Sequence, residues 1–467
     1  MEHIIQQLAL ELAKTILEKS TSERIRDIGD LAESLLKDCK NTALEMLTVI
    51  LEHLNDEIRQ DKQGRKKEGL TLQQRQRSRT LLTSLGELTW ERDYYRSKKE
   101  GTYRYLLDEV IGVRSYERID DTLSAKMLNL AAEVSYEKAA NITTGGAVSR
   151  QSVRNKLLKI AVPEKDLPEK AEIEELHVYA DEDHVHMQRP EKQRGKKNQI
   201  LPLVTVGEGV RHVSARRNAT INPMHFVDEN FDTKELWKSV AGYIGAAYEI
   251  SKIKKIYLHG DGGRWIGNGL SDFAQVEHVM DTFHFSKRLR TLCKAFPERN
   301  VRVMIQNALR QNDRRHADKF LQELMDSAVD DRKRDEAKEF GTFLFNFWEE
   351  NRKAIDTTIS GSCTEGQVSH ILSERFSRNP LGWSKAGLGK LAKVRVSVKN
   401  GRPIGGEDFR QREQNKNYAT YADKVIEEHL KGACDWSLFE PEAPILNGAS
   451  GTQVLIRSMS VNNGLLN

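Results

Sequence analysis

The sequence predicts a mixed α/β fold in which a sheet domain is interrupted by a helical insertion and preceded by a helical region and a small β region. Apolar and polar residues alternate between about residues 175 and 284, whereas residues 285–356 are highly charged with helical spacing. The first 70 residues show amphipathic helical spacing. A chain of 467 residues exceeds what one hydrophobic core usually serves, so several domains are expected.

The composition is that of a soluble, helix-rich protein. Hydrophobic residues make up 38% and charged residues 30%, which excludes wholesale disorder. The formal net charge is only +4, but Lys and Arg are concentrated in a few tracts, which favours a polyanionic partner. The four cysteines are far apart and include no CxxC pair, so we expect neither a zinc ribbon nor a disulfide framework. The N-terminus lacks an uninterrupted apolar run, so a cytoplasmic protein without a membrane span is expected.

The N-terminal part divides into two predicted regions. Residues 1–70 form a helical region, and its basic end, RQDKQGRKKEG, is expected to be a linker or exposed arm. Residues 71–120 form a small β-hairpin region, because TLLTSLGELTWERDYYRSKKEGTYRYLL alternates apolar and polar residues across turn signals. Its aromatic side chains are either core residues or surfaces on which bases stack.

Residues 121–162 are typical of a helix-turn-helix-like DNA-binding region. The patterns SAKMLNLAAEVSYEKAANI and SRQSVRNKLLKI are helical, and TTGGAV separates them. In that motif the second helix enters the major groove, so Arg150, Gln151 and Arg154 are candidate DNA-binding residues. Helix pairs of this kind also occur without DNA. The proline-containing acidic segment 163–174 is a predicted linker.

The next region has the strand and helix order of a ribonuclease-H-like domain. ELHVYADEDHVHMQ and ILPLVTVGEGV are predicted strands, and HVSARRNATINPMHF is expected to supply a third. A helix from about Thr233 to Ser251, the strand KKIYLHGD and the short strand VEHVMD complete a βββαβαβ order. The predicted core spans residues 175–284 and 357–400 around the all-α insertion 285–356, and residues 401–467 form a tail.

Two acidic residues are expected at one edge of this sheet. Asp181 and Asp183 share a face of the first strand, while Glu182 points to the other face, so either aspartate could serve. Asp261 ends an apolar strand and is followed by Gly262. If the two strands are adjacent and parallel, the carboxylates meet outside the carboxyl ends of the strands.

A third carboxylate should come from a helix packed over the sheet edge. Glu365 lies in the first turn of a predicted helix and is our choice, and Glu374 is the weaker candidate. Asp281 and His284 follow the last strand, where a histidine could contact a phosphate or carry a proton. The HxH pair His184 and His186 has no third ligand at a motif-like spacing, so zinc is rejected.

A set of carboxylates is the environment that Mg²⁺ prefers. Asp181, Asp261 and Glu365 are therefore the expected catalytic residues and metal ligands. Asp183, Asp281 and His284 are possible auxiliary residues. Two Mg²⁺ ions, with Mn²⁺ able to substitute, activate the attacking oxygen and stabilise the leaving one in phosphoryl transfer.

Several blocks together resemble the ISLre family of bacterial insertion-sequence transposases, which belong to the DDE class. The blocks are GELTWERDYYRSKKEGTYRYLLDEVIG, YADEDHVHMQ, HGDGGRWI, MDTFHFSKRL and EGQVSHILSERFSRNPLGWS, in register from about residue 75 to 395. The resemblance implies that Asp181, Asp261 and Glu365 form the DDE triad. It also implies binding to the terminal inverted repeats of a mobile element and to target DNA, with metal-dependent cleavage and strand transfer. A homo-oligomer, at least a dimer on DNA, and a nucleoid-associated location are expected.

A basic segment follows the third carboxylate. Arg375, Arg378, Lys385, Lys390 and, further on, Lys393 and Arg395 are expected to contact the DNA backbone. Trp383 is expected to be a packing anchor rather than a base-stacking platform. Two alternatives stay open, namely a DNA-binding regulator or domesticated relic without catalysis, and a ribonuclease-H-like nuclease without strand transfer.

Overall fold

The computed structural model describes most of the chain up to residue 409. The described ranges are 1–21, 27–162, 170–188, 198–214, 217–271, 273–359, 363–378 and 382–409. The basic loop after the first sheet strand, most of the predicted linker and most of the predicted tail lie outside these residues.

The first region is helical, as expected. Its helices are α1 (Glu2–Thr21), α2 (Ile28–Gln60) and α3 (Lys62–Glu68). The basic segment joins α2 to β1 and has no buried residue in α3, as expected of a linker or exposed arm, but it is helical. Asp61 caps α3 by accepting from the Gly64 backbone N–H, and Gly69 ends it at a φ of 72°. Lys and Arg are good helix formers, so the basic run between these two caps is helical.

A three-stranded antiparallel sheet follows, as the predicted β region requires. It consists of β1 (Leu70–Leu82), β2 (Glu87–Ser97) and β3 (Tyr103–Arg104), and the short helix α4 (Leu106–Val110) comes next. The arginine-rich tract of residues 75–79 lies within β1. Leu51 and Ile58 of α2 share a core with Trp90 of this sheet and Leu107 of α4. The sheet is therefore held against the long helix.

Three helices occupy the predicted helix-turn-helix region. They are α5 (Asp121–Ala131), α6 (Tyr136–Thr144) and α7 (Arg150–Lys159). The first predicted helix is in fact two, because the Ser135 hydroxyl accepts from the Lys138 backbone N–H and starts α6. Gly145 and Gly146 have φ angles of 61° and 88° in the turn before α7. The turn falls where the sequence predicts it.

The main sheet is mixed and five-stranded. The strands after α7 are β4 (Glu175–His186), β5 (Asn198–Gly207), β6 (Val210–Ser214), β7 (Arg217–Thr220), β8 (Met224–Phe226), β9 (Lys255–Gly260) and β10 (Val276–Met280). The order in the sheet is β10-β9-β4-β5-β8. The strands β4, β5 and β8 are antiparallel neighbours, whereas β9 is parallel to β4 and β10 is parallel to β9.

The third antiparallel strand differs from the expectation. Residues 210–214 and 217–220 form a separate two-stranded hairpin, and only Met224–Phe226 joins the sheet. The reason is burial, because β6 is largely exposed while Met224 and His225 are buried. The predicted long strand therefore contains a hairpin and a short sheet strand.

Helices cover the sheet and form the insertion. The remaining helices are α8 (Thr233–Ala247), α9 (Arg264–Gly267), α10 (Thr282–Ala295), α11 (Val301–Arg310), α12 (Arg314–Asp326), α13 (Asp331–Asn346), α14 (Trp348–Ala354), α15 (Thr364–Val368), α16 (Glu374–Phe376) and α17 (Lys385–Lys399). A π-helical turn, Ser369–Ser373, joins α15 to α16. The helices α10 to α14 share one core and follow β10 directly, where the sequence predicts a helical insertion. Within the described residues, no helix is long and apolar enough to cross a membrane.

The two faces of the sheet have separate cores. On one face, Val178 of β4 and Leu258 of β9 pack with Val240 of α8. The other core contains Leu203 of β5 and Leu391 of α17, and it extends to the helices α5, α6 and α7. The N-terminal helix group therefore shares a hydrophobic core with the sheet.

Arg395 corrects the expectation of a DNA-contacting surface residue. Its side chain is 1% exposed and pairs with Glu133. It also donates hydrogen bonds to the Ala132 and His370 carbonyls, both at 2.8 Å, and to the Ile371 carbonyl. Ala132 ends α5, so this guanidinium satisfies a carbonyl that the helix itself leaves without a partner.

Arg375 corrects the same expectation. The residue is 5% exposed, its Nε donates to the Ala131 carbonyl at 3.0 Å, and its guanidinium lies 4.9 Å from the Trp383 ring centre. Burial lowers the pKa of Arg375 to about 10. Trp383 is itself buried and donates to the Phe376 carbonyl, which confirms it as a packing anchor. The two buried arginines therefore bind the C-terminal end of α5 to the segment after the insertion.

We predict that Arg395→Leu lowers the free energy of unfolding by about 3 kcal/mol or more, because it leaves three buried carbonyls and Glu133 without their cationic donor. Chemical denaturation of the full chain measures this loss. Arg378→Gln is the control, since Arg378 is exposed on the same segment and should change stability by less than about 0.5 kcal/mol. Wild-type stability in Arg395→Leu would contradict the structural role.

Candidate metal centre

The parallel pairing of β4 and β9 brings two predicted carboxylates to one sheet edge. Tyr179 pairs with His259 in this ladder, and two residues further along come Asp181 and Asp261. Side chains two residues apart in a strand lie on the same face. The strands of Asp181 and Asp261 are therefore adjacent and parallel, as the sequence predicts.

The loop after β9 has little freedom. Gly262 has a φ of 87°, and a Cβ there would lie 2.6 Å from the Phe347 ring of the insertion, so only glycine fits. The Asp261 carboxylate accepts from the Gly263 backbone N–H at 2.8 Å. On the opposite sheet face, Glu182 accepts from the Trp265 indole at 2.8 Å. These contacts fix the loop relative to β4.

Three side chains converge just beyond the end of the β4–β9 ladder. Ligand atoms of Asp181, His284 and Glu365 all lie within 4.8 Å of one another. Asp181 is buried, and its Oδ1 accepts from the Glu182 backbone N–H at 2.8 Å. His284 lies in the first turn of α10 and Glu365 in the first turn of α15. The first helix of the insertion and a helix that follows the insertion thus complete one cluster with β4.

Asp281 positions the histidine. Its carboxylate caps α10 by accepting from the Phe283 and His284 backbone N–H groups at 2.7 and 3.2 Å. Its own N–H donates to the Gly260 carbonyl at 2.7 Å, which ties the start of α10 to β9. Asp281 is 1% exposed. It therefore anchors His284, as an auxiliary residue would.

The electrostatics of the cluster favour an added positive charge. Burial raises the pKa of Glu365, and the carboxylates of Asp181 and Asp281 raise it further. The carboxylate of Asp181 likewise raises the pKa of His284. The Nε2 atom of His284 is buried without a hydrogen-bond partner and lies 3.9 Å from Asp181 Oδ2. The carboxylates of Asp181 and Glu365 repel one another, and a divalent cation bound between them would relieve that repulsion.

Two further acidic candidates lie outside this cluster. Asp183 is buried, which raises its pKa, while hydrogen bonds with Ser377 and Ser373 oppose that shift. It therefore faces the helical segment beyond Glu365 rather than the cluster. Asp261 does not belong to the group formed by Asp181, His284 and Glu365, yet its charge contributes to the raised pKa of His284. Asp261 is thus an electrostatic neighbour of the cluster.

The remaining histidine and glutamate candidates are at the surface. His184 and His186 are exposed, and His184 lies 3.6 Å from Glu182. Within the described residues, no metal-competent group includes them. Glu374 is exposed and pairs with His370 at 3.3 Å. The structure thus places Glu365, and not Glu374, beside Asp181.

The predicted DNA-contacting residues differ in exposure. Arg150 and Gln151 are exposed at the start of α7, and Arg154 is partly buried. Arg378 and Lys385 are exposed on the segment after the insertion.

Lys390 from the same set is engaged within the protein. Its Nζ pairs with Glu229 at 2.9 Å and donates to the Ile160 carbonyl at 3.2 Å. The side chain is about a quarter exposed. Its charge is therefore largely satisfied by these two internal partners.

A buried histidine pair beneath the carboxylates escaped the sequence reasoning. His177 Nδ1 and His259 Nε2 are 3.0 Å apart, and the ring of Tyr179 stacks on that of His259 at 4.9 Å. Burial lowers the pKa of His177 to about 4 and that of His259 to about 3, so both are neutral at pH 7. The signal was present in HVYAD and YLHGD, where each strand carries a His and a Tyr at alternate positions before its Asp.

We predict that the cluster binds Mn²⁺ in isothermal titration calorimetry of the full chain. Asp181→Asn or Glu365→Gln should weaken binding by at least about tenfold, the loss that even an outer-shell partner of a metal can cause. Glu374→Gln is the matched control, because this exposed glutamate lies nine residues further along and outside the cluster. Unchanged affinity in Glu365→Gln would contradict the assignment.

We also predict an acid-sensitive component of stability from His259. An unfolded histidine takes up a proton near pH 6.5, whereas buried His259 does so only near pH 3. The contribution of neutral His259 to the free energy of unfolding is thus complete above about pH 6.5. It is lost as the pH falls toward 3, by about 1.4 kcal/mol per pH unit. His259→Gln should be less stable at pH 7 but lose less stability between pH 6 and pH 5 in urea denaturation. Equal losses in the two proteins would show that His259 does not titrate in this way.

Comparison with known proteins places most of the chain in one family. The model of the uncharacterised protein family UPF0236 matches residues 23–413. Three similar proteins come from Caldanaerobacter subterraneus subsp. tengcongensis. One UPF0236 protein, whose name joins eleven locus designations, is 31% identical over 437 residues, covering 92% of this chain and 90% of its own. A second is 33% identical over 392 residues, with coverage of 83% and 82%. A third, whose name joins four locus designations, is 32% identical, with coverage of 92% and 90%. The chain belongs to the UPF0236 family.

Proposed function

We propose that this chain is a DDE-class DNA transposase with a ribonuclease-H-like catalytic domain. The observation that carries the proposal is the convergence of Asp181, His284 and Glu365 just beyond the end of the β4–β9 ladder, with Asp261 directly after the adjacent parallel strand β9. The order of the five-stranded sheet supports it, because three antiparallel strands followed by two parallel ones match the order that the sequence predicts.

The names of the relatives give independent support. One family member in a single bacterial strain carries eleven locus designations, and another carries four. A gene that copies itself to new positions produces such repetition within one genome. A housekeeping enzyme does not require it. The repeated loci therefore fit a mobile element better than a regulator or a domesticated relic.

The carboxylates provide the site for phosphoryl transfer. Asp181, Asp261 and Glu365 would hold two Mg²⁺ ions, for which Mn²⁺ can substitute, and these ions would activate the attacking oxygen and neutralise charge on the phosphate. The protein's own contribution is positioning, because β4, the loop after β9 and α15 hold the three side chains at one sheet edge. Asp183 supports the helical segment through Ser373 and Ser377.

His284 is the candidate proton carrier and phosphate contact. Asp281 fixes the first turn of α10, so the imidazole Nε2 points toward the carboxylate cluster. The raised pKa of His284 favours an imidazolium, which can donate a proton or a hydrogen bond from Nε2 to an anionic phosphate oxygen. The residue would thus act on the same phosphate that the carboxylates orient.

DNA is the partner in this proposal. Arg150, Gln151 and Arg154 near the start of α7 would contact terminal inverted repeats in the major groove. Arg378 and Lys385 would contact the DNA backbone near the cut. Pairing two element ends calls for at least a dimer, and DNA binding implies association with the nucleoid.

We predict that Asp181→Asn and Asp261→Asn each reduce Mg²⁺-dependent cleavage of labelled duplex from the DNA flanking the coding region by at least about 10²-fold. Loss of a group that stabilises transition-state charge typically costs this much. Binding of the same duplex in a gel-shift assay should be nearly unchanged. Glu374→Gln is the control and should cleave at the wild-type rate.

The same assay separates the alternatives. Joined products between the cut end and a target plasmid support a transposase, whereas cleavage without joining indicates a nuclease. Binding without cleavage in Mg²⁺ and in Mn²⁺ indicates a DNA-binding regulator or relic. Wild-type cleavage by Asp261→Asn would overturn the assignment of that residue.

A further inference from the structure

A stack of tyrosine rings lies on the three-stranded sheet, far along the chain from the carboxylate cluster. Tyr94 of β2 contacts two rings, and that of Tyr103 of β3 stacks on it at 5.3 Å with an interplanar angle of 14°. The ring of Tyr105 lies 4.6 Å from Tyr94 and is tilted by 36°. Tyr103 is 52% exposed, so part of an aromatic surface is open to solvent.

Arginine side chains flank these rings. The guanidinium of Arg77 lies 5.3 Å from the Tyr94 ring centre and 5.9 Å from that of Tyr105. Arg96 lies 6.0 Å from the ring of Tyr103. Arg77 and Arg96 are exposed, and neither forms an ion pair with any described residue. Positive charge and aromatic faces therefore alternate on one surface, which we call the Tyr–Arg surface.

The charge of this surface is only partly neutralised from within. Arg92 pairs with Asp108, and it lies 3.5 Å from the ring of Tyr105. Burial, together with the positive charges of Arg79 and Arg77, lowers the pKa of Arg92 to about 10. The arginines thus repel one another, which an external anion would relieve.

Core packing does not account for this arrangement. The buried aromatic residues of the same sheet are Trp90 and Tyr95, which are 1% and 0% exposed and belong to the core with α2. Tyr94, Tyr103 and Tyr105 are not part of that core. A solvent-facing stack of tyrosines between arginines needs a different explanation.

We propose that the Tyr–Arg surface binds single-stranded DNA, with an unpaired base extending the stack at Tyr103 and phosphates contacting Arg77 and Arg96. The exposed ring of Tyr103 can stack only with a base whose own face is free, which a duplex interior does not offer. The exposed guanidinium groups of Arg77 and Arg96 beside the rings supply the positive charge that the phosphates of a bound strand require. The proposal rests on the proposed function only in naming DNA as the polymer.

Fluorescence anisotropy with a labelled oligothymidylate of about 20 nucleotides, in EDTA and with the full chain, tests the surface. Tyr103→Ala should weaken binding about tenfold, in keeping with the loss of one base stack. Tyr103→Phe keeps the ring and should bind nearly as well as the wild type. Binding to a duplex of equal length should be the same for all three proteins.

A second pair of variants tests the charge. Arg77→Gln should weaken binding of the oligothymidylate and reduce the slope of log affinity against log salt concentration by about 0.7. Arg314→Gln is the matched control, because Arg314 is also exposed and lies 5.2 Å from an aromatic ring, that of Phe345 in the insertion. The Arg314→Gln variant removes the same charge and a similar ring contact in the helical insertion, away from the Tyr–Arg surface.

Three outcomes would overturn the proposal. They are wild-type affinity of Tyr103→Ala for the single strand, an equal loss of affinity for duplex, and tighter binding of oligouridylate than of oligothymidylate. These measurements contain no metal and no cleavage step. If the wild-type chain fails to cleave DNA but Tyr103→Ala weakens single-strand binding, the Tyr–Arg surface stands and the transposase proposal fails. If the wild-type chain cleaves DNA but Tyr103→Ala binds the single strand with wild-type affinity, the transposase proposal stands and the surface proposal fails.

Discussion

The hydrogen-bond ladder between the parallel strands β4 and β9 is the constraint on which the candidate centre depends. It aligns Tyr179 with His259 and so brings Asp181 and Asp261 to the same edge. Apolar side chains on the α8 face hold the two strands in register, because a slip by one residue would turn every side chain to the opposite face. The helices that supply His284 and Glu365 are then placed relative to an edge that is already fixed.

The sequence is most informative where the two-residue period of a strand determines which face of the sheet a side chain occupies. Alternation along β4 is enough to separate Glu182 from Asp181 and Asp183, and the apolar strand before Asp261 is enough to place that residue at a strand end. The sequence could not decide which of the two aspartates of β4 joins the cluster. That choice depends on how far α15 and the following helical segment reach along the strand, and Ser373 and Ser377 hydrogen-bond with Asp183.

The failures of prediction have a common physical origin. Arg375 and Arg395 follow a candidate carboxylate in a basic segment, and basic residues are usually exposed. Their role depends on helix α5, more than 240 residues earlier in the chain, whose terminal carbonyls need donors. The capped helix α3 and the hairpin between β5 and β8 likewise depend on local hydrogen bonds and burial that charge and alternation do not reveal. The histidine pair was visible in sequence, but only as two similar pentapeptides.

The two buried arginines have a consequence for the DNA binding that we propose. They join the C-terminal end of α5 to the segment that carries Glu365, and α5, α6 and α7 share one core with the sheet. If α7 binds DNA as proposed, the packing of the protein holds the bound sequence at a fixed distance and angle from the carboxylates. The position of the reacting bond relative to that sequence would then be set by the protein itself.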